Sequence, residues 1–367
     1  MKHYLISCGG TGGHLAPGIA LAEGLASRGH GTTLLVSGKK IDARLAAKYP
    51  ALKFATVPAA PFARGPVGLA KFVCQQWRGL SFSLRLIRAT RPAAVVAFGG
   101  FTAGPVAFAA RLAGVPVALH EANRVPGRAT RVLARFARRV YLPPGVTLRG
   151  LNDAVRRHAA LPVRAEIVRR PRAEACARLG LDPASKILVV LGGSQGATAL
   201  NDWMRRELPV FVAAGVQLCC VTGPGKATAL GTGAGGAVLL EFCDDMAALL
   251  SAADLVVSRA GAGSIAELAR CATPALLVPF PHAADNHQQA NAAWFAQGGG
   301  GLVVDQRELE KLGPLARALL VDDAQLARFR ANLRQLDRPG ALGLILDDLE
   351  SLNQPAPASV AMHFTLA

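Results

Sequence analysis

The 367 residues of this chain are too many for one typical domain and enough for two. Hydrophobic residues form 51% of the chain and charged residues 18%, which excludes general disorder, and no uninterrupted apolar run reaches the roughly 18 residues of a membrane span. The net charge of +17 is unevenly distributed, with +19 in residues 1–160 and −2 in the remainder. The first part is therefore expected to face a polyanion, such as nucleic acid, an anionic bilayer or a phosphorylated substrate. The alternative explanation for the excess charge is an arginine-rich proteome.

Short β-type runs alternate with helical patterns along the chain, which is typical of α/β proteins with parallel sheets. In the first part, strands are predicted over 3–8, 33–36, 53–57, 94–98 and 117–120, and a helix over 17–28. In the second part, strands are predicted over 186–191, 217–221, 237–241, 254–257, 275–279 and 301–304, with helices over 198–214 and 341–352.

A strand followed by GGTGGH at 9–14 returns 183 residues later as a strand followed by GGSQGA at 192–197. Each strand begins its own α/β unit, so we predict two Rossmann-like domains with facing ligand edges. The predicted boundaries are 1–161 for the first domain and 162–340 for the second, followed by the helix and by a loose tail over 353–367.

The glycines of 9–14 allow a sharp turn between strand and helix, where backbone N–H groups and the positive helix end favour a phosphate. Similar loops at 98–101, 192–196 and 260–264 make a mere tight turn a weaker explanation. A dinucleotide site is disfavoured because Leu15 replaces the third glycine and no acid lies between Glu23 and Asp42. A P-loop is disfavoured as well, because 223–226 lacks the upstream glycine and the Ser/Thr after the lysine.

The segment 258–267 combines a strand end, a glycine turn and a carboxylate, Glu267, in the first turns of the next helix. A carboxylate there can accept both hydroxyl groups of a ribose while the turn binds phosphates; a helix-start acid that interacts only with the dipole is the alternative. Gln288 and Gln289 follow the next strand and suit sugar hydroxyl groups, although an isolated glutamine pair is usually surface decoration.

Eight motifs in order carry a resemblance to a known family: GGTGGHLAPGIALA, FGGFTAGP, HEAN, PVR, GGSQGA, FCDDMA, SRAGAGSIAE and PFPHAADNHQQANA. Over roughly residues 3–350 the chain resembles the MurG family, whose members transfer GlcNAc from UDP-GlcNAc to the undecaprenyl-pyrophosphoryl MurNAc-peptide, lipid I. The resemblance implies an α/β fold of GT-B type, two Rossmann-like parallel-sheet domains facing a cleft. It implies that the second domain holds UDP-GlcNAc, that the first receives lipid I at the membrane, and that the helix 341–352 packs back on the first domain.

The resemblance assigns most donor contacts to the second domain. Arg164 and Ser194 match positions at the donor's diphosphate, and Cys243 matches a position whose backbone reads the uracil. The other donor positions are the turn at the phosphates with the two residues after it, the ribose carboxylate and the GlcNAc-binding pair: Ala262, Gly263, Ser264, Ile265, Ala266, Glu267, Gln288 and Gln289.

From the first domain, four matching positions reach the sugar across the cleft: Thr11, Gly12, Gly13 and Asn123. His14 matches the histidine of the first glycine loop and is the candidate catalytic residue, either as general base or as a partner of the acceptor's pyrophosphate. A histidine that only packs the loop is the alternative. The chain departs from the family pattern at three positions: Ala122, Leu161 and Ala260.

The implied reaction is an inverting displacement, in which the acceptor's 4-hydroxyl group attacks C1 of GlcNAc and UDP leaves, yielding lipid II. Backbone N–H groups and Arg164 can stabilise the leaving diphosphate, each good donor contributing ~3 kcal/mol. The second domain has no Asp-x-Asp pair near a strand end, so no metal ligands and no obligatory cofactor are predicted.

Residues 67–91 are the predicted membrane contact. Apolar side chains and cations recur there at helical spacing: Leu69, Phe72 and Trp77, with Lys71, Arg78 and Arg85. This pattern suits a shallow contact with anionic lipid, or else an ordinary core-facing helix with a solvated basic side. Gly79 and the Ser-Phe-Ser run at 81–83 argue against one continuous helix.

The seven cysteines include no CxxC pair, and the first residues lack a signal-peptide pattern. Both observations predict a reducing compartment. With the resemblance, we expect a peripheral protein at the cytoplasmic face of the inner membrane. No nucleic acid partner is expected, because only 5% of the residues are aromatic and no zinc-ligand spacing occurs. The alternatives are another GT-B enzyme such as a UDP-sugar 2-epimerase, an anion- or nucleic-acid-binding protein without activity, and a catalytically dead homologue.

Overall fold

The computed structural model describes residues 1–10, 12–62, 65–193, 195–227 and 237–352. Within these ranges the chain forms two separate parallel sheets, one in each half. We call residues 1–158 the first lobe and residues 172–336 the second lobe, because each contains one sheet. Residues 159–171 contain neither helix nor strand and form the linker. The predicted loose tail at 353–367 lies outside the described residues.

The sheet of the first lobe has seven strands in the described part of the chain, in the order β3-β2-β1-β4-β5-β6-β7. The strands are β1 (His3–Ser7), β2 (Gly31–Val36), β3 (Phe54–Thr56), β4 (Ala94–Ala97), β5 (Val117–His120), β6 (Arg139–Leu142) and β7 (Arg156–His158). The helices of this lobe are α1 (Gly12–Ser27), α2 (Lys40–Ala47), α3 (Pro66–Thr90), α4 (Ala103–Leu112) and α5 (Arg128–Leu133).

The sheet of the second lobe has six described strands in the order β10-β9-β8-β11-β12-β13. They are β8 (Lys186–Leu191), β9 (Val216–Val221), β10 (Ala237–Leu240), β11 (Leu255–Ser258), β12 (Ala275–Leu277) and β13 (Gly301–Val303). The helices are α6 (Arg172–Leu179), α7 (Thr198–Ala213), α8 (Met246–Ala252), α9 (Ala262–Arg270), α10 (His287–Gln297), α11 (Leu312–Val321) and α12 (Asp323–Leu336), followed after the lobe by α13 (Ala341–Ser351). Two short 3₁₀ segments lie at Ala284–Asn286 and Gln306–Lys311.

Each sheet is covered by helices on both faces, which is why its strands are continuous apolar runs. In β1, Tyr4 and Ile6 pack into one core and Leu5 into the other, as the two-residue period of a strand requires. In β8, Val189 and Val190 divide in the same way between the two cores of the second lobe. The fold is therefore the doubly wound architecture expected from the alternating pattern.

Two strands and one helix differ from the sequence expectation. The strands β6 and β7 were not predicted, because β6 has four residues and β7 consists of two arginines and a histidine at the sheet edge. The helix α3 is continuous from Pro66 to Thr90, so the expected interruption near Gly79 is wrong. A Cβ at Gly79 would lie 3.2 Å from Pro105, and Ser83 donates to the carbonyl of Gly79, so both residues fit the packed helix.

The helix α13 packs against α1 in the core of the first lobe, although it follows the second lobe in sequence. Ile345, Leu346 and Leu349 are buried there, and a Cβ at Gly24 would lie 3.0 Å from Leu346. Its acidic residues bind the first lobe, since Asp348 accepts hydrogen bonds from Arg139 and from Tyr141.

We expect Asp348→Ala to destabilise the protein by about 2–3 kcal/mol, because it removes the part-buried hydrogen bonds that Arg139 and Tyr141 donate to a charged group. The neighbouring variant Asp347→Ala is the matched control, since Asp347 is 69% exposed and its ion pair with Arg28 contributes at most about 1 kcal/mol. Thermal unfolding measures both variants. Equal melting temperatures for the two variants would contradict the anchoring role of Asp348.

Candidate active site

The first glycine loop is held by a buried carboxylate. The backbone N–H of Gly10 donates to Asp42 Oδ2 at 2.9 Å, and the N–H of Ser37 donates to the same oxygen at 3.0 Å. A Cβ at Gly9 would lie 2.4 Å from Ser37 N, so only glycine fits against the end of β2. The role of Asp42 was missed in the sequence, where it counted only as one of the few acids. The predicted Thr11 lies outside the described residues.

Gly12, Gly13 and His14 form the first turn of α1, which begins five residues before the predicted start. The imidazole of His14 is half-buried against the loop after β4. A Cβ at Gly100 would lie 3.2 Å from His14 Nδ1, so the glycines of that loop make room for the ring. His14 therefore lies on a helix turn rather than in the predicted loop.

Charges from both lobes act on His14. Burial lowers the pKa of its imidazole, while Glu121 and Asp42 oppose that effect and His287 of α10 reinforces it. The ring is therefore largely neutral at neutral pH, and a neutral imidazole can accept a proton.

Two donor-side residues predicted from the sequence are in direct contact. Arg164 Nη2 donates to Glu267 Oε1 at 2.9 Å, and both side chains are largely buried. Burial raises the pKa of Glu267, and the neighbouring guanidinium opposes that shift. Burial alone would lower the pKa of Arg164, but Glu267, Tyr49 and Glu166 outweigh it and raise that pKa. The pair thus places a carboxylate and a cation at the second turn of α9 in the second lobe.

The turn before Glu267 offers backbone donors. Ala262, Gly263 and Ser264 form the first turn of α9, and no side chain caps this helix end. A Cβ at Gly263 would meet no atom within 4 Å, so the space beside the turn is open. The side chain of Ile265 is buried in the core, whereas Ala266 is half-buried. Of these residues, the backbone of the first turn is what can bind an anion.

A buried asparagine connects the lobes near the predicted sugar-binding residues. Asn291 lies one turn after Gln288 on α10, and its Nδ2 donates to Asn123 Oδ1 and to the carbonyl of Ala260, both at 3.1 Å. Its Oδ1 accepts from the backbone N–H of Arg124 at 2.9 Å. Asn291 therefore holds Asn123 beside α10, one turn from Gln288, and its role was missed because its burial is invisible in the sequence.

The HEAN loop depends on Glu121, which is 5% exposed. Its carboxylate accepts from the N–H and side-chain amide of Asn123, from the N–H of Gly127 and from the hydroxyl group of Thr130. The neighbouring His120 is also buried, and burial lowers its pKa to about 4. Glu121 thus fixes the direction of Asn123, which sequence reasoning could not show.

The remaining predicted donor residues are placed differently. Gln288 accepts from the N–H of Phe280 through Oε1, and Gln289 is exposed in the same helix turn. The thiol of Cys243 is buried, and burial raises its pKa to about 11, so its side chain belongs to the core. Ser194 lies outside the described residues.

The predicted membrane-contact residues lie on the solvent-exposed face of α3. Leu69 is 48% exposed and Trp77 69% exposed, and Val73 between them is exposed as well. The ring of Phe72 packs on Phe62 at 5.6 Å between centroids. Three exposed cations accompany them: Lys71, Arg78 and Arg85. No helix in the described part of the chain is long and apolar enough to cross a membrane.

Family profiles cover both lobes. The N-terminal domain of glycosyltransferase family 28 matches residues 4–142, and the C-terminal domain of that family matches residues 187–333. A transferase of Opitutus terrae, named UDP-N-acetylglucosamine--N-acetylmuramyl-(pentapeptide) pyrophosphoryl-undecaprenol N-acetylglucosamine transferase, is 58% identical over 98% of this chain and 97% of its own. The chain belongs to the MurG family.

Other members agree with this assignment. A MurG relative of the same name from Desulforudis audaxviator is 38% identical over 95% of this chain and 98% of its own. The crystal structure of Acinetobacter baumannii MurG superposes with a TM-score of 0.72 and 27% identity, covering 96% of this chain and all of that one. The MurG family and its GT-B fold are thus confirmed, and the chain is a glycosyltransferase rather than a binding protein without activity.

Proposed function

We propose that this protein transfers GlcNAc from UDP-GlcNAc to the 4-hydroxyl group of the MurNAc of lipid I, which yields lipid II. The observation that carries the proposal is the 58% identity, over 98% of this chain, to the Opitutus terrae transferase, whose name describes this reaction. The pairing of Glu267 with Arg164, and the placement of Asn123 beside α10, support it. The donor belongs to the domain 162–340 and the acceptor to the domain 1–161 with α13.

In the proposed reaction, the acceptor oxygen forms a bond to C1 of GlcNAc while the bond from C1 to the diphosphate oxygen breaks. The electron pair of the broken bond leaves with UDP, and the hydroxyl proton passes to His14. The lowered pKa of His14 favours the role of a base over that of a cationic partner for pyrophosphate. The open first turn of α9 and Arg164 suit the charge that develops on UDP.

Product analysis tests the proposal directly. The purified protein is incubated with UDP-GlcNAc and a short-chain lipid I analogue, and the products are separated and identified by mass. We expect one β-1,4-linked GlcNAc per acceptor and one UDP released. Conversion of UDP-GlcNAc without acceptor would instead favour a UDP-sugar 2-epimerase and reject the proposal.

We propose further that the solvent-exposed face of α3 binds to the cytoplasmic face of the inner membrane. Its exposed apolar residues can enter the headgroup region while the arginines bind anionic lipid. Peripheral binding at this surface would bring the lipid-linked acceptor to the first lobe.

Replacing Val73 and Trp77 with glutamate should reduce binding to phosphatidylglycerol vesicles at least tenfold, because the change adds charge where apolar side chains would be buried. Vesicle flotation measures the bound fraction. Val321→Glu on α11 is the control, since Val321 is 82% exposed but belongs to the second lobe. Unchanged flotation of the double variant, or wild-type binding that ignores salt and lipid charge, would refute this docking surface.

A further inference from the structure

A chain of hydrogen bonds joins the first lobe to the proposed ribose carboxylate. The hydroxyl group of Tyr49 donates to Glu166 in the linker and accepts from Nη1 of Arg164 at 3.0 Å. The same guanidinium donates through Nη2 to Glu267. Tyr49 follows α2 and belongs to none of the motifs that indicate the donor site. A first-lobe residue is thus two hydrogen bonds away from the carboxylate of α9.

A second contact joins the same segment to the loop proposed to read the uracil. Lys48 Nζ donates to the carbonyl oxygen of Asp244, and Arg44 lies over the ring of Phe242 at 4.2 Å. Arg44 also forms an ion pair with Asp244 at 3.5 Å. The end of α2 and the two residues after it therefore contact the loop proposed to read the uracil and the Arg164 that pairs with Glu267.

We propose that Tyr49 is a positioning residue for the donor: it orients Arg164 against Glu267 and thereby raises the affinity for the UDP part of UDP-GlcNAc. The inference rests on the proposed function, which places the ribose at Glu267. A guanidinium needs acceptors on more than one edge to fix its plane, and Tyr49 supplies one of them. Without that hydroxyl group, Nη1 of Arg164 keeps Glu166, at 3.3 Å, as its one acceptor among the described residues.

The guanidinium also has a donor that no described residue satisfies. Nε of Arg164 is buried and has no hydrogen-bond partner among the residues that the structure describes. A buried donor without an acceptor costs about 1–3 kcal/mol. The orientation of the guanidinium therefore depends on the hydrogen bonds of its two Nη atoms, which include the one to Tyr49.

The charge state of Glu267 gives the proposal a pH signature. Burial raises the pKa of Glu267, Arg164 and Lys48 lower it, and Glu166 raises it. Burial, and next the charge of Glu267, raise the pKa of Cys271, the residue that follows α9. A less well oriented Arg164 lowers the pKa of Glu267 less. The ionised carboxylate is the better acceptor for two ribose hydroxyl groups. When Arg164 is less well oriented, Glu267 should therefore become protonated, and nucleotide affinity should be lost, at a higher pH than in the wild type.

Tyr49→Phe tests the proposal by removing only the hydroxyl group. We expect the Kd values of UDP and UDP-GlcNAc, and the KM of the donor, to rise about tenfold, while kcat stays within about twofold. The pH at which UDP affinity is half lost should move upward. Tyr4→Phe is the matched control, because the Tyr4 hydroxyl group is buried without a hydrogen-bond partner among the described residues. Titration calorimetry between pH 5 and 8 measures these quantities.

A double-mutant cycle shows whether Tyr49 acts through Arg164. In an Arg164→Lys background, Tyr49→Phe should change the Kd of UDP less than twofold, since the oriented guanidinium is already lost. Equal Kd values for wild type, Tyr49→Phe and Tyr4→Phe would overturn the inference, and so would a full tenfold effect in the lysine background. If the wild type failed to bind UDP-GlcNAc, the proposed function itself would be rejected.

Discussion

Glu267→Gln is expected to lower kcat/KM for UDP-GlcNAc by about 100- to 1000-fold. The amide keeps the shape of the side chain but loses the charge that would strengthen the two proposed hydrogen bonds to the ribose, a loss of about 3–4 kcal/mol. It also removes one of the two ionic partners that Arg164 has among the described residues. Steady-state transfer to a lipid I analogue gives kcat/KM, and calorimetry gives the Kd of UDP.

The control is Glu174→Gln on α6, whose carboxylate forms an exposed ion pair with Arg178 of the same helix. That pair contributes little to stability, so the control should retain wild-type kinetics and melting temperature. The alanine variant of Glu267 is a poorer probe, because it removes one partner of a buried ion pair together with its side-chain volume and destabilises the fold. A Glu267→Gln enzyme with wild-type kcat/KM would remove Glu267 from the donor site.

The fold was predictable because its strands are buried on both faces. The predicted strand over 186–191 coincides with β8, and its neighbours deviate by one or two residues at their ends. The failures occurred where long-range packing overrides local pattern. In β7, three polar residues join a sheet edge only because β6 lies beside them, and in α3 the glycine at 79 allows α4 to approach.

The candidate site was predictable only as far as its motifs reach. Glu267, Gln288 and Asn123 belong to motifs, and the structure places them in supported positions. Asn291 also lies in a motif, PFPHAADNHQQANA, but its contact with Asn123, like that of Tyr49 with Arg164, joins residues more than one hundred positions apart in sequence. Such contacts follow no local spacing rule, so only the folded structure reveals them.

The positions of the acidic residues explain why the surface of the first lobe keeps its positive charge. Asp42 and Glu121 are buried supports of the glycine loop and the HEAN loop, so neither reduces the positive charge at the surface of the first lobe. The acids of α13 bind arginines at the other side of that lobe, including Arg28 and Arg139. The cations of α3 therefore remain uncompensated by these acids, as the proposed contact with anionic lipid requires.

His14→Ala is expected to lower kcat by about 100- to 10,000-fold while the Kd of UDP changes less than twofold, which is the usual contribution of a positioned base. The imidazole lies beside the loop of Gly100 in the first lobe, whereas Glu267, which would hold the ribose, belongs to α9 of the second lobe. The rate of GlcNAc transfer at saturating donor gives kcat, and titration calorimetry with UDP gives the Kd. His158→Ala, an exposed histidine of β7, is the control.

The pH dependence follows from the lowered pKa of His14. The neutral imidazole is the active form of a base, so kcat should be constant around neutral pH and fall only when the pH drops through a value below the usual pKa of histidine. His14→Gln separates the two roles that the sequence leaves open. If His14 acts as a base, the glutamine variant loses kcat as severely as the alanine variant, because an amide cannot accept the proton. If it only binds the acceptor's pyrophosphate, glutamine preserves kcat and the loss is confined to the KM of lipid I.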